Sequence, residues 1–136
     1  MGRPIAIDTS ILIYLIEDHP EFADLVELIL EPIRNGRQEG IFASVGLIEL
    51  LTGPKLKGRY DLAEEYRQSV INFPNLTIID LSFEIIDLAS SLRAKYNLTT
   101  PDAIHLATAI NNGARVFVTN DKALRKVKEI KVRTLN

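Results

Sequence analysis

Short blocks of apolar residues alternate along this chain with longer stretches in which apolar residues recur every three or four positions. The blocks predict strands and the spaced stretches predict helices. Strands are expected at residues 4–8, 40–44, 76–80, 115–119 and 131–135. Helices are expected at 10–17, 21–35, 45–52, 59–72, 82–96 and 100–112, with a short one at 122–127. The strand blocks Pro4-Ile5-Ala6-Ile7 and Val116-Phe117-Val118-Thr119 are apolar almost without interruption, which suits strands covered on both faces. The helical stretch from Glu21 carries Phe22, Leu25, Val26, Leu28 and Ile29 on one side, and Gly36 supplies its stop. Gly53-Pro54 is expected to end the helix at 45–52, and Ser82 to cap the helix that follows it. Thr100-Pro101-Asp102 has the form of a helix start: a capping hydroxyl, proline at the first position and an acid in the first turn. Strands separated by helices predict an α/β/α sandwich around a mostly parallel sheet of about five strands.

At 136 residues with no long linker, one domain over residues 1–136 is expected. No run of about 18 apolar residues occurs, so no spanning helix and no membrane role are expected. The chain has no cysteine, which removes disulfides and thiolate metal sites and fits a reducing cytoplasm. The formal net charge is −2, so duplex nucleic acid bound by charge alone is not expected. Lys122, Arg125, Lys126, Lys128, Lys131 and Arg133 still form a local basic run, whose plainer reading is a solvated face.

Four acids fall where the pattern turns. Asp8 closes the first strand, Asp121 follows the fourth by one residue, and Asp102 opens a helix. Glu49 is the only charge between Ser44 and Gly53 and is flanked by Leu47, Ile48, Leu50 and Leu51. In open α/β sheets, ligands bind beyond the carboxyl ends of the strands, and all four acids belong to that edge. Each has a structural alternative: a helix cap for Asp8, a first-turn charge for Asp102, a turn residue for Asp121. Glu49 fits that view least, since a carboxylate in a helix that wants burial needs a partner or an ion. Clustered carboxylates repel unless a cation sits among them. An all-oxygen donor set selects Mg²⁺ or Mn²⁺, ions that activate water and stabilise charge on a phosphoryl group. Thr9, Ser10, Thr119 and Asn120 add polar groups beside Asp8 and Asp121. His105, one turn after Asp102, could touch substrate or an outer-shell water, and the preferred reading is a satisfied histidine at the core edge.

Taken in order, Ile7-Asp8-Thr9-Ser10 with Leu12, Ser44-Val45 leading to Glu49, Thr100-Pro101-Asp102-Ala103 with Ala107, and Val118-Thr119-Asn120-Asp121-Lys122 are similar to the motifs of the PIN-domain family. Within it the chain resembles the small VapC-like ribonuclease toxins. The resemblance implies that Asp8, Glu49, Asp102 and Asp121 are the acidic metal-binding quartet, with Thr9 or Ser10 and Thr119 in support. It also implies an RNA substrate, an antitoxin protein partner and a homodimer. An antitoxin tail is expected in an apolar groove between the helices at 21–35 and 45–52. A solitary PIN nuclease in RNA maturation is the nearest alternative. A phospho-receiver domain is the more distant one, with Asp80 at the end of a central strand as phosphate acceptor. A receiver wants paired acids after its first strand, and a haloacid-dehalogenase-like phosphatase wants a second Asp two residues after Asp8. Thr9-Ser10 stands there instead.

Overall fold

A computed structural model describes residues 2–135. The strands are β1 (Ile5–Ile7), β2 (Gly40–Ala43), β3 (Leu76–Ile79), β4 (Val116–Thr119) and β5 (Val132–Thr134). The helices are α1 (Thr9–Ile16), α2 (Ala23–Arg34), α3 (Val45–Leu56), α4 (Tyr60–Ile71), α5 (Phe83–Tyr96) and α6 (Thr100–Asn111), with a 3-10 turn at Lys122–Lys126. The strands form one sheet in the order β3-β2-β1-β4-β5, and all its pairings are parallel.

Alternate residues of the central strands feed two cores. Ile5 and Ile7, Phe42, Val116 and Val118 point to one face, where they meet Ile11, Leu12, Val26, Leu30, Leu50 and Val70. Ala6, Ile41 and Phe117 point to the other, against Ile85, Ala89, Leu92, Ala103, Leu106 and Ala107. Helices therefore cover both faces, as the unbroken apolar strands require. The order β3-β2-β1 runs one way from β1 and β4-β5 the other. The direction of winding thus reverses between β1 and β4, opening a crevice at their carboxyl ends.

Several boundaries differ from expectation. Pro54 does not stop α3. It lies buried inside the last turn, where its missing N–H removes a single helical bond, and the helix runs on to Leu56 before Gly58 turns at φ +71°. Thr99, not Thr100, caps α6, accepting a bond from the Asp102 N–H, so Pro101 takes the second position. The short helix after Asp121 is a 3-10 turn. β3 is an edge strand, so the exposed Asp80 beyond it has no central position from which to act as a phosphate acceptor. No described helix is long and apolar enough to cross a membrane.

Candidate active site

Asp8 joins β1 to α1 and is tied at both oxygens. Its Oδ1 accepts from the Thr9 N–H at 2.7 Å and caps α1, while its Oδ2 accepts from the Thr119 hydroxyl at 2.6 Å. The Asp8 N–H in turn donates to the Val118 carbonyl at 2.9 Å. The ends of β1 and β4 are thereby stitched together around one carboxylate. The capping role and the site role are both present, because a carboxylate has acceptor capacity beyond one cap bond.

Glu49 arrives from α3, near the end of β2. Its Oε1 accepts from the Thr9 hydroxyl at 2.8 Å and lies 2.8 Å from His105 Nε2. The same Nε2 is 3.1 Å from Thr9 Oγ1 and 3.8 Å from Asp8 Oδ1. The bond from His105, ahead of the one from Thr9, holds the Glu49 carboxyl below its ordinary range. Its side chain is 37% exposed and the adjacent Ile48 is 67% exposed, so α3 is less buried than its apolar sequence suggests. Glu49 sits at the rim of the site.

Asp102, in the first turn of α6, is half-buried. Burial first, and then the charges of Asp8 and Asp121, push its carboxyl above the ordinary range. Those two acids therefore lie close enough for Asp102 to feel them. Asp121 is exposed, caps the 3-10 turn by accepting from the Ala123 N–H at 3.0 Å, and has its own N–H held by Thr119 Oγ1 at 3.1 Å. An open cleft of about 360 Å³ separates it from Asp8 and is lined by both acids with Ser10, Tyr14 and Asn120. Asn120 donates to the Tyr14 hydroxyl at 2.8 Å. The Ser10 hydroxyl is buried with no protein partner.

The four acids thus gather along one sheet edge, in two groups: Asp8 with Glu49 through Thr9 and His105, and Asp8 with Asp102 and Asp121 across the cleft. Among the described residues, no three acids or histidines stand in ligating range of a single point. A hard cation held there would keep several waters and take only one or two carboxylates directly. The all-oxygen donors, the repulsion felt at Asp102 and the unpartnered Ser10 hydroxyl beside Asp8 agree with such an occupant.

His105 is both a core residue and a neighbour of the acids. It is 2% exposed, between Phe42 and Phe117, yet it touches Glu49 and Thr9. Its partners lie 56 and 96 residues away in sequence, so no local pattern announces them. Two adjoining apolar clefts open on the surface. One of about 360 Å³ runs over α5 and α6, lined by Leu81, Ile86, Ala89 and Ile104, and a smaller one continues it to Ile48.

The fold matches solved structures. It superposes on a chain of a toxin–antitoxin complex from Klebsiella pneumoniae with a TM-score of 0.73 and 25% identity, covering 97% of this chain and 98% of that one. A chain of the DNA-bound VapBC of Salmonella typhimurium gives a TM-score of 0.76 at 18% identity, covering 99% and 100%. VapC20 of Mycobacterium tuberculosis, described as a toxin that cleaves the sarcin–ricin loop, gives 0.67 at 12% identity, covering 83% and 86%. Among curated protein sequences none matches. Residues 5–130 match the profile of the PIN domain, which takes in β1 through the 3-10 turn and all four acids, and the chain belongs to the PIN domain family.

Proposed function

We propose that this protein is a Mg²⁺- or Mn²⁺-dependent endoribonuclease and the toxin half of a toxin–antitoxin pair. The observation that carries the reading is the placing of Asp8 at the β1–β4 crevice, linked to Glu49 through Thr9 and His105 and facing Asp121 across an open cleft, with Asp102 near enough to feel both aspartates. A divalent ion held there would neutralise the acids and supply the activation of water that phosphodiester hydrolysis needs. Asp8 and Asp102 would hold such an ion, with Glu49 and Asp121 as the further acids of the site. Thr9 and Thr119 fix Asp8 and Glu49 by hydrogen bonds. Ser10 and Asn120 line the cleft, where a phosphate or ribose would lie. Beyond Asp121, the exposed Lys122, Arg125, Lys126, Lys128, Lys131 and Arg133 supply local positive charge for an RNA backbone despite the acidic whole.

The partner half of the reading is supported by the Klebsiella relative, similar over nearly its whole length and solved in a toxin–antitoxin complex. An antitoxin protein and a second copy of this chain are the partners proposed, acting on a single 1–136 domain in the cytoplasm. An inhibitory antitoxin tail that placed an Arg among the acids would mimic the cation's charge.

The test is RNA cleavage. Wild-type protein should cut single-stranded or loop RNA in Mg²⁺ or Mn²⁺ and lose that activity in excess chelator. Asp8→Ala should slow cleavage by several orders of magnitude while Asp80→Ala leaves it intact. Full activity in Asp8→Ala, or activity lost only in Asp80→Ala, would overturn the reading.

A further inference from the structure

We infer that His105 is a positioning residue that fixes the Glu49 carboxylate beside Asp8 for joint cation binding. The inference rests on the reading that these acids hold a divalent ion. Three elements converge on one ring nitrogen. His105 Nε2 from α6 reaches Glu49 Oε1 of α3 at 2.8 Å and Thr9 Oγ1 at the start of α1 at 3.1 Å, and stands 3.8 Å from Asp8 Oδ1 at the end of β1.

The hydrogen bonds dictate where the proton lies. Glu49 Oε1 is an acceptor at 2.8 Å, so Nε2 carries a hydrogen and donates to it, while Asp8 Oδ1 at 3.8 Å lies beyond hydrogen-bond reach. The Thr9 hydroxyl then donates to Glu49 and accepts from His105. The opposite nitrogen, Nδ1, is buried with no partner between Phe42 and Phe117. A buried polar atom without a partner is costly, and an apolar side chain of similar size would remove that cost. The structure keeps the imidazole nonetheless, with its one bonded nitrogen aimed at Glu49.

The consequence is geometric. Two donors occupy Glu49 Oε1, which turns the carboxylate about that anchor and leaves Oε2 without a hydrogen bond among the described residues. Without His105, Glu49 would keep only the Thr9 bond on a side chain that is 37% exposed, and it would sample other rotamers. Groups that orient metal-holding side chains are worth roughly 10–100-fold in metal affinity.

The experiment titrates Mn²⁺ into chelator-stripped full-length protein by calorimetry, comparing wild type, His105→Gln, His105→Asn, Glu49→Gln and the double variant His105→Asn/Glu49→Gln. A Gln amide nitrogen reaches about as far as Nε2, whereas an Asn amide stops near Nδ1. His105→Asn should therefore weaken Mn²⁺ binding roughly 10–100-fold, and His105→Gln should recover most of it. In the Glu49→Gln background, His105→Asn should cost little more. Melting curves verify that each variant is folded. If wild type binds no Mn²⁺, the cation reading itself fails. If wild type binds but His105→Asn binds equally well, or if its loss is undiminished in the Glu49→Gln background, the positioning role is overturned.

Discussion

Two carboxylates of the site respond to their surroundings in opposite ways. Asp102 has its carboxyl pushed up by burial and by Asp8 and Asp121, so the metal-free native state binds its proton more tightly than the unfolded chain does. Stability from this group then falls as pH rises through the window above the ordinary aspartate value of about 3.9. Glu49 is held below its ordinary range by His105 and Thr9, so its contribution is present above about pH 4.3 and is lost as pH falls through the folded value. In chelator at pH 7, Asp102→Asn should raise the melting temperature and Glu49→Gln should lower it. The Asp102 difference should shrink as the pH is brought down toward 4, and the Glu49 difference only as the pH falls below about 4.3. Thermal denaturation across pH checks this, and a destabilised Asp102→Asn at pH 7 would contradict it. The places of Asp8, Asp102 and Asp121 at strand ends and a helix start are legible in sequence because those are local features, and Glu49 stands out as the lone charge of an apolar stretch. The place of His105 is not legible in this way, since its meaning depends on Thr9 and Glu49, which only the folded sheet brings to it.

At the level of elements, the site depends on how closely α3 approaches the start of α1. Gly46 marks that approach: a Cβ there would stand 2.1 Å from Phe42 Cζ and 2.7 Å from Thr9 Oγ1. Gly46→Ala should therefore displace the buried Phe42 ring or the Thr9 hydroxyl and destabilise the fold by about 1–3 kcal/mol, as overpacking does. It should also loosen the Thr9–Glu49 bond. Chemical denaturation measures the first effect, and a stability equal to wild type would show that the α3–α1 approach is not tight. Element order and type were readable because strand and helix periods differ so plainly here. Ends were less readable. Pro54 reads as a breaker, but one missing bond in a last turn that buries the proline ring does not end a helix. Thr99 and Thr100 are equally good caps on paper, and the extended backbone of Thr99 decides between them.

For the whole molecule, the winding of the sheet does what no local motif can. Strands β1 and β4 are neighbours although more than a hundred residues separate them, and the reversal between them creates the crevice that Asp8 and Asp121 flank. The parallel order was expected from the alternation of strands and helices. The position of β3 at the edge was not, and it is what removes Asp80 from contention. The apolar cleft over α5 and α6 likewise follows from packing, since the exposure of Ile48, Leu81 and Ile86 depends on which neighbours the helices lack. The central claim is that this carboxylate edge holds a divalent cation. Diffraction from Mn²⁺-soaked crystals at the manganese absorption edge tests it most directly. The account predicts an anomalous peak in the β1–β4 crevice, with Asp8 and at least one of Glu49, Asp102 and Asp121 bound to it directly at about 2.0–2.6 Å or through a shared water. At saturating Mn²⁺, a crevice without a peak, or an ion bound only elsewhere on the surface, would contradict it.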